Sequence, residues 1–594
     1  MQFSSLFHTA KSALVFAGAW VLAAYLQLEP VELVRLLLLG AAFLSLKVLE
    51  RKPLKKTEAA AFGLLSAGIS LSLILGYHIH MEDRYHGTVV QNYITPYAST
   101  DVFALLFMIP ALTVLLGALY RVLTTHKRSR IIAAPPCNRR RLLVFVVLMA
   151  CYLPYLLAYY PGIILNDTIT SISQALDMQS LVNHHPVMYT LFIKWCMNLG
   201  ETLLGSRTHG YALYTLSQMI YVSVCLSYII DWVCRHVQKA FAAAVSTTAL
   251  FGLFPYFASY SVAGWKDPVF SVSVACLSVM LLGDAVHPQE KPSLRSVFIY
   301  FAMLLMVAFS RTNGIGVIAC VLLWQLLCLF IRRLSKASLR PHLAMATLAS
   351  IAVFFVVHGP VFSAMGVTTD KREVNSLVLQ QMARVAALKG DMSERDREFL
   401  DDLLPMENYQ GTYRPCCVDL FKWDKQFNTA AMERGMYRHW LSMLLKNPVA
   451  YIEAWELNTF GFWTLNVPEI NYADWNLSAG VIRNKLDPQY VQNTYTEYGI
   501  EMKNLLSNDA VRRFLPTDEW FIPAGWMFWG CVFLFLCMML SGRWPLLISL
   551  IPTFGLLLPL ILVTPTCYWI RYAAAAHYLL PVYLWLFTTL KSAD

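Results

Sequence analysis

The chain has 594 residues, of which 57% are hydrophobic and only 14% charged. Soluble domains carry about 25% charged residues, so the composition excludes a soluble enzyme and indicates an all-α polytopic membrane protein. The net charge of +10 does not imply nucleic acid, because the basic residues gather in short loops between apolar runs.

Runs of ~20 apolar residues, each long enough to cross a hydrocarbon core, predict about fourteen spans. Four near 12–28, 31–48, 59–78 and 101–120 make an N-terminal accessory region, 1–141. Lys11 and the first run resemble a signal peptide, but no small-residue cleavage site is evident and another run follows at once, which predicts a retained span. Spans near 142–159, 210–231, 240–258, 267–285, 295–310, 314–331 and 342–360 form a core, 142–360. Those near 522–541, 544–564 and 573–590 close the chain in a C-terminal region, 522–594. Basic residues cluster at Arg51, Lys52, Lys55 and Lys56, at Lys127, Arg128 and Arg139 to Arg141, and at Arg332, Arg333, Lys336 and Arg340. If the spans alternate, all three clusters share one side. The positive-inside rule makes that side cytoplasmic, with both termini.

Segment 186–204 is apolar enough to be mistaken for a span. Its Thr190, Lys194, Asn198 and Glu201 form one helical stripe opposite Met188, Leu191, Phe192 and Trp195, the pattern of a helix lying in the interface. A crossing there would invert the later basic loops. The external face then holds loop 159–209, three short turns, and a segment of about 160 residues, 361–521, rich in Tyr, Trp and charge. Runs such as "SLVLQQMARVAAL" predict that this segment is mostly helical. Most of the thirteen cysteines lie in apolar runs without a CxxC pair, which suggests neither a disulfide framework nor zinc. Cys416 and Cys417, adjacent in a polar stretch, read as oxidisable.

Four places carry candidate chemistry. In "YYPGIILNDTITS", Asn166 and Asp167 stand where the chain leaves an apolar run. Asp167 suits a helix N-cap, and equally a general base at the water–membrane boundary. "NHHPVMY" offers His184 and His185; adjacent side chains diverge on a helix, which suits contacts to phosphate or sugar better than a metal. "GWKDP" offers Lys266 and Asp267, read either as interfacial snorkelling and a helix start or as a phosphate-binding cation with a supporting carboxylate. Arg311 with Asn313, and Arg571 with Tyr572, place arginines on the side where basic residues are disfavoured. The guanidinium fork suits phosphate oxygens.

The order of these motifs resembles the GT-C superfamily of membrane glycosyltransferases, especially the protein O-mannosyltransferase and lipid A aminoarabinose transferase branch. There the first external loop holds an acidic catalytic residue and an "HPPL"-type step, which correspond here to "ILNDTIT" and "NHHPVMY". The second external loop supplies another Asp, here Asp267. The chain departs from that pattern in having Asn166-Asp167 for an Asp-Glu pair and "HHP" for "HPP". Over roughly 150–590 it is most similar to an uncharacterised family of large bacterial multi-spanning proteins sharing "YPG…ND" and "HHP".

The resemblance implies transfer of a sugar from a polyprenyl-phosphate donor to an envelope glycan, lipid or protein at the outer face of a plasma membrane. It implies an inverting displacement with Asp167 as base and Lys266, Arg311 and Arg571 on the lipid phosphate. The sequence requires no cofactor and leaves a divalent cation open. A transporter or flippase of lipid-linked sugars would instead place charges near the bilayer midplane, often with inverted repeats. A non-catalytic envelope-assembly scaffold is the third reading.

Overall fold

The computed structural model describes residues 2–83, 85–124, 134–164, 166–287, 292–331, 341–466, 522–567 and 570–589. The basic residues at 127, 128, 332, 333, 336 and 340, and segment 467–521, lie outside them. Four helices come first: α1 (Gln2–Leu26), α2 (Val31–Arg51), α3 (Lys56–Tyr77) and α4 (Ser99–Leu123). Between α3 and α4, β1 (Ile79–Met81) pairs antiparallel with β2 (Asn92–Ile94), the only sheet among the described residues. Ten helices follow: α5 (Asn138–Ala158), α6 (Asn166–Ala175), α7 (Val187–Leu204), α8 (Arg207–His236), α9 (Ala240–Leu253), α10 (Pro255–Val262), α11 (Asp267–Val286), α12 (Leu294–Ser310), α13 (Gly314–Phe330) and α14 (Pro341–Val356). A cap with α15 (Ser376–Ala387), α16 (Glu394–Leu403), α17 (Met436–Lys446) and α18 (Pro448–Thr459) comes next, and then α19 (Ala524–Leu540), α20 (Ile551–Leu562) and α21 (Ala574–Thr589).

This is a multi-pass integral membrane protein. Among the described residues seven helices are long and apolar enough to cross a bilayer: α3, α4, α5, α8, α11, α14 as it continues to Ala364, and α20 with the turn from Trp544. The pair α9 and α10 makes an eighth if counted as one span. It is bent by 59° at Pro255, whose ring removes a backbone donor. The expected count of fourteen exceeds this. The remaining segments are helical, but α12, α13 and α19 have 17 residues each. At 1.5 Å per residue that is ~25 Å, short of a ~30 Å core. Helix α2 is longer but carries Glu32, Arg35, Lys47, Glu50 and Arg51.

The largest apolar core joins Leu148 and Tyr152 of α5, Leu226 and Ile230 of α8, Val272 and Val279 of α11, and Tyr578 and Val582 of α21. Helices α3, α4 and α19 share another through Phe62, Met108 and Phe533. The cap has its own, with Leu379, Met382, Leu400, Tyr409 and Met443. At the end of the bundle away from the cap, Asp231 of α8 has no exposed side-chain surface and takes Arg140 and Arg141 of α5, the latter at 2.9 Å. Arg121 of α4 pairs there with Glu58 of α3.

Helix α7 corrects one expectation. Thr190, assigned to the polar stripe, is fully buried with Val187, Ile193, Met197 and Gly200. That face packs on α8, where Gly200 and Gly210 leave no room for a side chain between the backbones. Met188, Phe192 and Trp195 stay exposed on a second face, and Lys194 holds Asp177 at 2.6 Å on a third. Cys416 and Cys417 are also buried rather than open to oxidation, and the thirteen cysteines form no disulfide among the described residues.

Three backbone lacings at the cap end bring distant segments together. Ile163 donates to the Val262 carbonyl at 3.1 Å and accepts from Gly264 N–H at 2.8 Å, so the "YPG" and "AGWKD" turns run side by side. Gly162 makes the first turn with φ +141°, where a Cβ would lie 2.4 Å from Thr215 Oγ1. Asn183 donates to the Thr368 carbonyl and Thr368 to that of Leu181, tying the "NHHP" loop to the chain leaving α14. Val418 donates to the Pro565 carbonyl and Cys567 to that of Cys416, tying the cap to the turn before Arg571.

Two outcomes follow from this arrangement. The positive-inside expectation puts the cap outside the cytoplasm; on that expectation a cysteine introduced at exposed Glu398 reacts with a membrane-impermeant maleimide in intact cells, and reaction only after lysis reverses the topology. A Cβ at Gly264 would meet Tyr211 Oη at 1.8 Å. Gly264→Ala is therefore expected to cost on the order of 1–3 kcal/mol, read as a lowered midpoint of thermal unfolding in detergent, with loss of the lacing around Lys266.

Candidate functional site

The three lacings converge on one network of charged side chains. Asp267 is the first residue of α11, where the helix dipole favours an acid, and its carboxylate has no exposed surface. It faces two arginines: Arg311, the residue after α12, at 3.1 Å, and Arg571, in the turn before α21, at 3.4 Å. Arg571 Nη1 also donates to Asp167 Oδ2 at 3.0 Å, and Lys266 Nζ donates to the same oxygen at 3.2 Å. The order Lys266–Asp167–Arg571–Asp267–Arg311 is one continuous chain of opposite charges. Among the described residues, three cations meet two carboxylates in this chain, one positive charge in excess.

Burial differs along that chain. The side chains of Arg571 and Arg311 are 5% and 7% exposed, while that of Asp167 is 29% exposed. Aromatic rings take the guanidinium faces. Arg311 lies 4.0 Å from the centre of the Tyr572 ring, and Arg571 4.2 Å from that of Trp265, in the range of cation–π attraction. Tyr572 is stacked in turn on Phe462. Below the network, Thr168 and Tyr189 both donate to the Gly264 carbonyl, and Gln218 spans the Ser261 and Ala263 carbonyls at 3.0 and 2.6 Å. These bonds fix the turn that presents Lys266 and Asp267.

The electrostatic state follows from these contacts. Burial opposes ionisation of Asp167, but the charges of Arg571 and Lys266 outweigh it and hold its carboxyl well below the ordinary range. Burial, reinforced by Lys266, keeps His185 neutral far below its ordinary value. Lys266 Nζ lies 2.9 Å from His185 Nδ1. An ammonium only donates, so Nδ1 accepts and the ring proton sits on Nε2.

His184 turns toward the cap. Its Nδ1 lies 3.4 Å from Glu373 Oε1, and its ring meets the edge of Trp423 at 5.5 Å. Glu373 is held by Lys422 at 2.8 Å; Lys422 is almost wholly buried and also pairs with Asp419 at 2.9 Å. Arg372 lies over the Trp423 ring at 3.9 Å.

Of the residues expected from sequence, Asp167, His185, Lys266, Asp267, Arg311, Arg571 and Tyr572 come together, with His184 alongside. Asn313 does not join them; it is exposed at the N-terminal end of α13. Asn166 begins α6 and its side chain is outside what the structure describes. Trp265, Glu373 and Lys422 were not anticipated. Trp265 adjoins "KDP" and was within reach of that motif, whereas Glu373 and Lys422 are ordinary charges in a polar segment. Asp167 and Asp267 are each engaged by cations, and among the described residues no group of three His, Cys, Asp or Glu is placed to hold a metal.

Beside Arg311 lies a shallow crevice of ≈ 10 Å³, room for about one water molecule, lined by Asn183, Val187, Met188, Phe309, Thr312 and His358.

No curated protein and no solved structure matches the chain. A family described as "Family of unknown function (DUF6020)" matches residues 176–594, more than two thirds of the chain. The match takes in His184, His185, Lys266, Asp267, Arg311 and Arg571 and begins nine residues after Asp167. The chain belongs to that family.

Proposed function

We propose that the protein is a membrane glycosyltransferase that moves a sugar from a polyprenyl-phosphate donor to an envelope glycan, lipid or protein at the extracytoplasmic face of the plasma membrane. The observation that carries this reading is the excess of cations at the cap end: Lys266, Arg311 and Arg571 against Asp167 and Asp267. A buried site with surplus positive charge suits an anion, and arginines suit phosphate oxygens. The charges stand at helix ends and not at mid-span: Asp267 heads α11, Arg311 follows α12 and Arg571 precedes α21. That favours an interfacial enzyme over a transporter, whose charges belong near the midplane.

In the reaction, an acceptor hydroxyl or amine attacks the anomeric carbon. The bond from that carbon to the phosphate oxygen breaks and its electron pair leaves with the polyprenyl phosphate. The acceptor's proton passes to Asp167. Lys266, Arg311 and Arg571 stabilise the charge that grows on the leaving phosphate.

Vesicles reconstituted with the purified protein and a radiolabelled polyprenyl-phosphate sugar test this directly. Labelled product in the acceptor fraction is expected. Asp167→Asn keeps the size of the side chain and its helix-starting ability but not its basicity. It is expected to reach normal membrane abundance with transfer lowered by roughly 10²-fold or more. Transfer at the unaltered rate would remove Asp167 from the role of base. Arg571→Gln leaves Asp167 and Asp267 without their shared partner and is expected to lower both transfer and stability, the latter by about 3 kcal/mol, read as thermal unfolding in detergent.

A further inference from the structure

A general base works best when its pKa lies near the operating pH. Asp167 is far from that condition, because Lys266 and Arg571 both hold its Oδ2 and keep its carboxyl well below the ordinary range. The two carboxylates of the network are not equivalent. Asp267 has no exposed side-chain surface, heads a membrane helix and is pinned between Arg311 and Arg571. Asp167 is 29% exposed and sits on α6, a helix of only ten residues. It engages the cations through one oxygen. Asp267 is the fixed counter-ion and Asp167 the displaceable one.

We propose that the anion-binding position is the one that Asp167 Oδ2 now occupies: a phosphate oxygen takes its place between Lys266 Nζ and Arg571 Nη1, and the displaced carboxylate becomes the base. This inference rests on the glycosyltransferase reading for the identity of the anion. The neighbouring groups favour the exchange. Arg571 keeps Asp267 as a partner when Asp167 leaves, and Lys266 keeps neutral His185. Incoming phosphate brings at least as much negative charge as the carboxylate that leaves, so the two cations are not left unpaired in a buried place. Freed from them, and with an anion beside it, Asp167 rises toward the ordinary carboxylate range. Base and donor are thereby coupled. Without donor the base is held as a counter-ion, and proton abstraction waits until the leaving group is in position.

The test is a binding measurement that needs no turnover. Full-length protein in detergent is titrated with farnesyl monophosphate, with inorganic phosphate and with farnesol, and binding is followed calorimetrically. Displacement requires Asp167 to compete with the ligand. If the Asp167-occupied state holds about nine-tenths of the population, removing the competitor raises apparent affinity about tenfold. Asp167→Asn is therefore expected to bind farnesyl monophosphate about tenfold more tightly than the unaltered protein while losing transfer. Asp167→Ser serves as the second variant if the Asn protein misassembles. Binding of inorganic phosphate with the same tenfold gain supports the exchange but assigns the position to phosphate in general and not to a lipid headgroup. Binding of farnesyl monophosphate that is equal or weaker in the variants overturns the displacement and leaves the phosphate site standing. No binding of either phosphate by any form, or equal binding of farnesol, sinks the phosphate reading itself.

Discussion

A carboxylate with no exposed surface at the head of a membrane-spanning helix is the constraint around which this site is built. Unpaired, an ionised Asp267 in that position would cost several kcal/mol after relaxation. It is stable because Arg311 and Arg571 reach it from two other helices. Neither arginine belongs to α11, so the pairing ties the ends of α11, α12 and α21 to one point. A charge that could have been a liability fixes where three helices meet, and it fixes the guanidinium groups in the same step.

The rest of the site hangs from that point by backbone bonds. The Ile163–Gly264 lacing lays the first external loop against the turn before α11. Asp167 thereby reaches across to Lys266 and Arg571. The Asn183–Thr368 and Val418–Pro565 lacings bring the cap into register with the same end of the bundle. His184 then faces Glu373, which buried Lys422 holds in place. The helix ends bring Lys266, Arg311 and Arg571, and the cap brings Glu373 and Asp419 around buried Lys422; His184 reaches from the first group to the second.

Much of this was legible in the sequence, for a physical reason. With the spans alternating as the sequence suggests, Arg311, Arg571 and Lys266 fall on the side where basic residues are rare, so each departs from the expected charge distribution and draws notice by itself. Glu373 and Lys422 offer no such contrast, because charge is normal in a polar segment and only folding reveals that Lys422 is buried. The lacings could not be read either, since backbone hydrogen bonds leave no mark on side-chain pattern. Helical periodicity located the apolar runs but not their reach. The run through Pro255 reads as one span and is two helices at an angle. In α7 a two-faced pattern misplaced Thr190, because the helix presents three surfaces, one of them packed on α8.

The depth of the arginines sets how the site responds to its surroundings. Dissolved ions screen charge over ~8 Å at physiological strength, but chiefly where solvent reaches, and buried pairs are screened much less. Arg311, Arg571 and Asp267 lie almost wholly beyond solvent. The pull they exert is governed by the protein's own polarisability and not by the salinity of the medium. An ion pair on the surface weakens as the medium moves from dilute to saline, whereas the pairs of this recess keep their strength. The exposed pair between Lys194 of α7 and Asp177, just after α6, has no such protection and loosens as the medium becomes more saline.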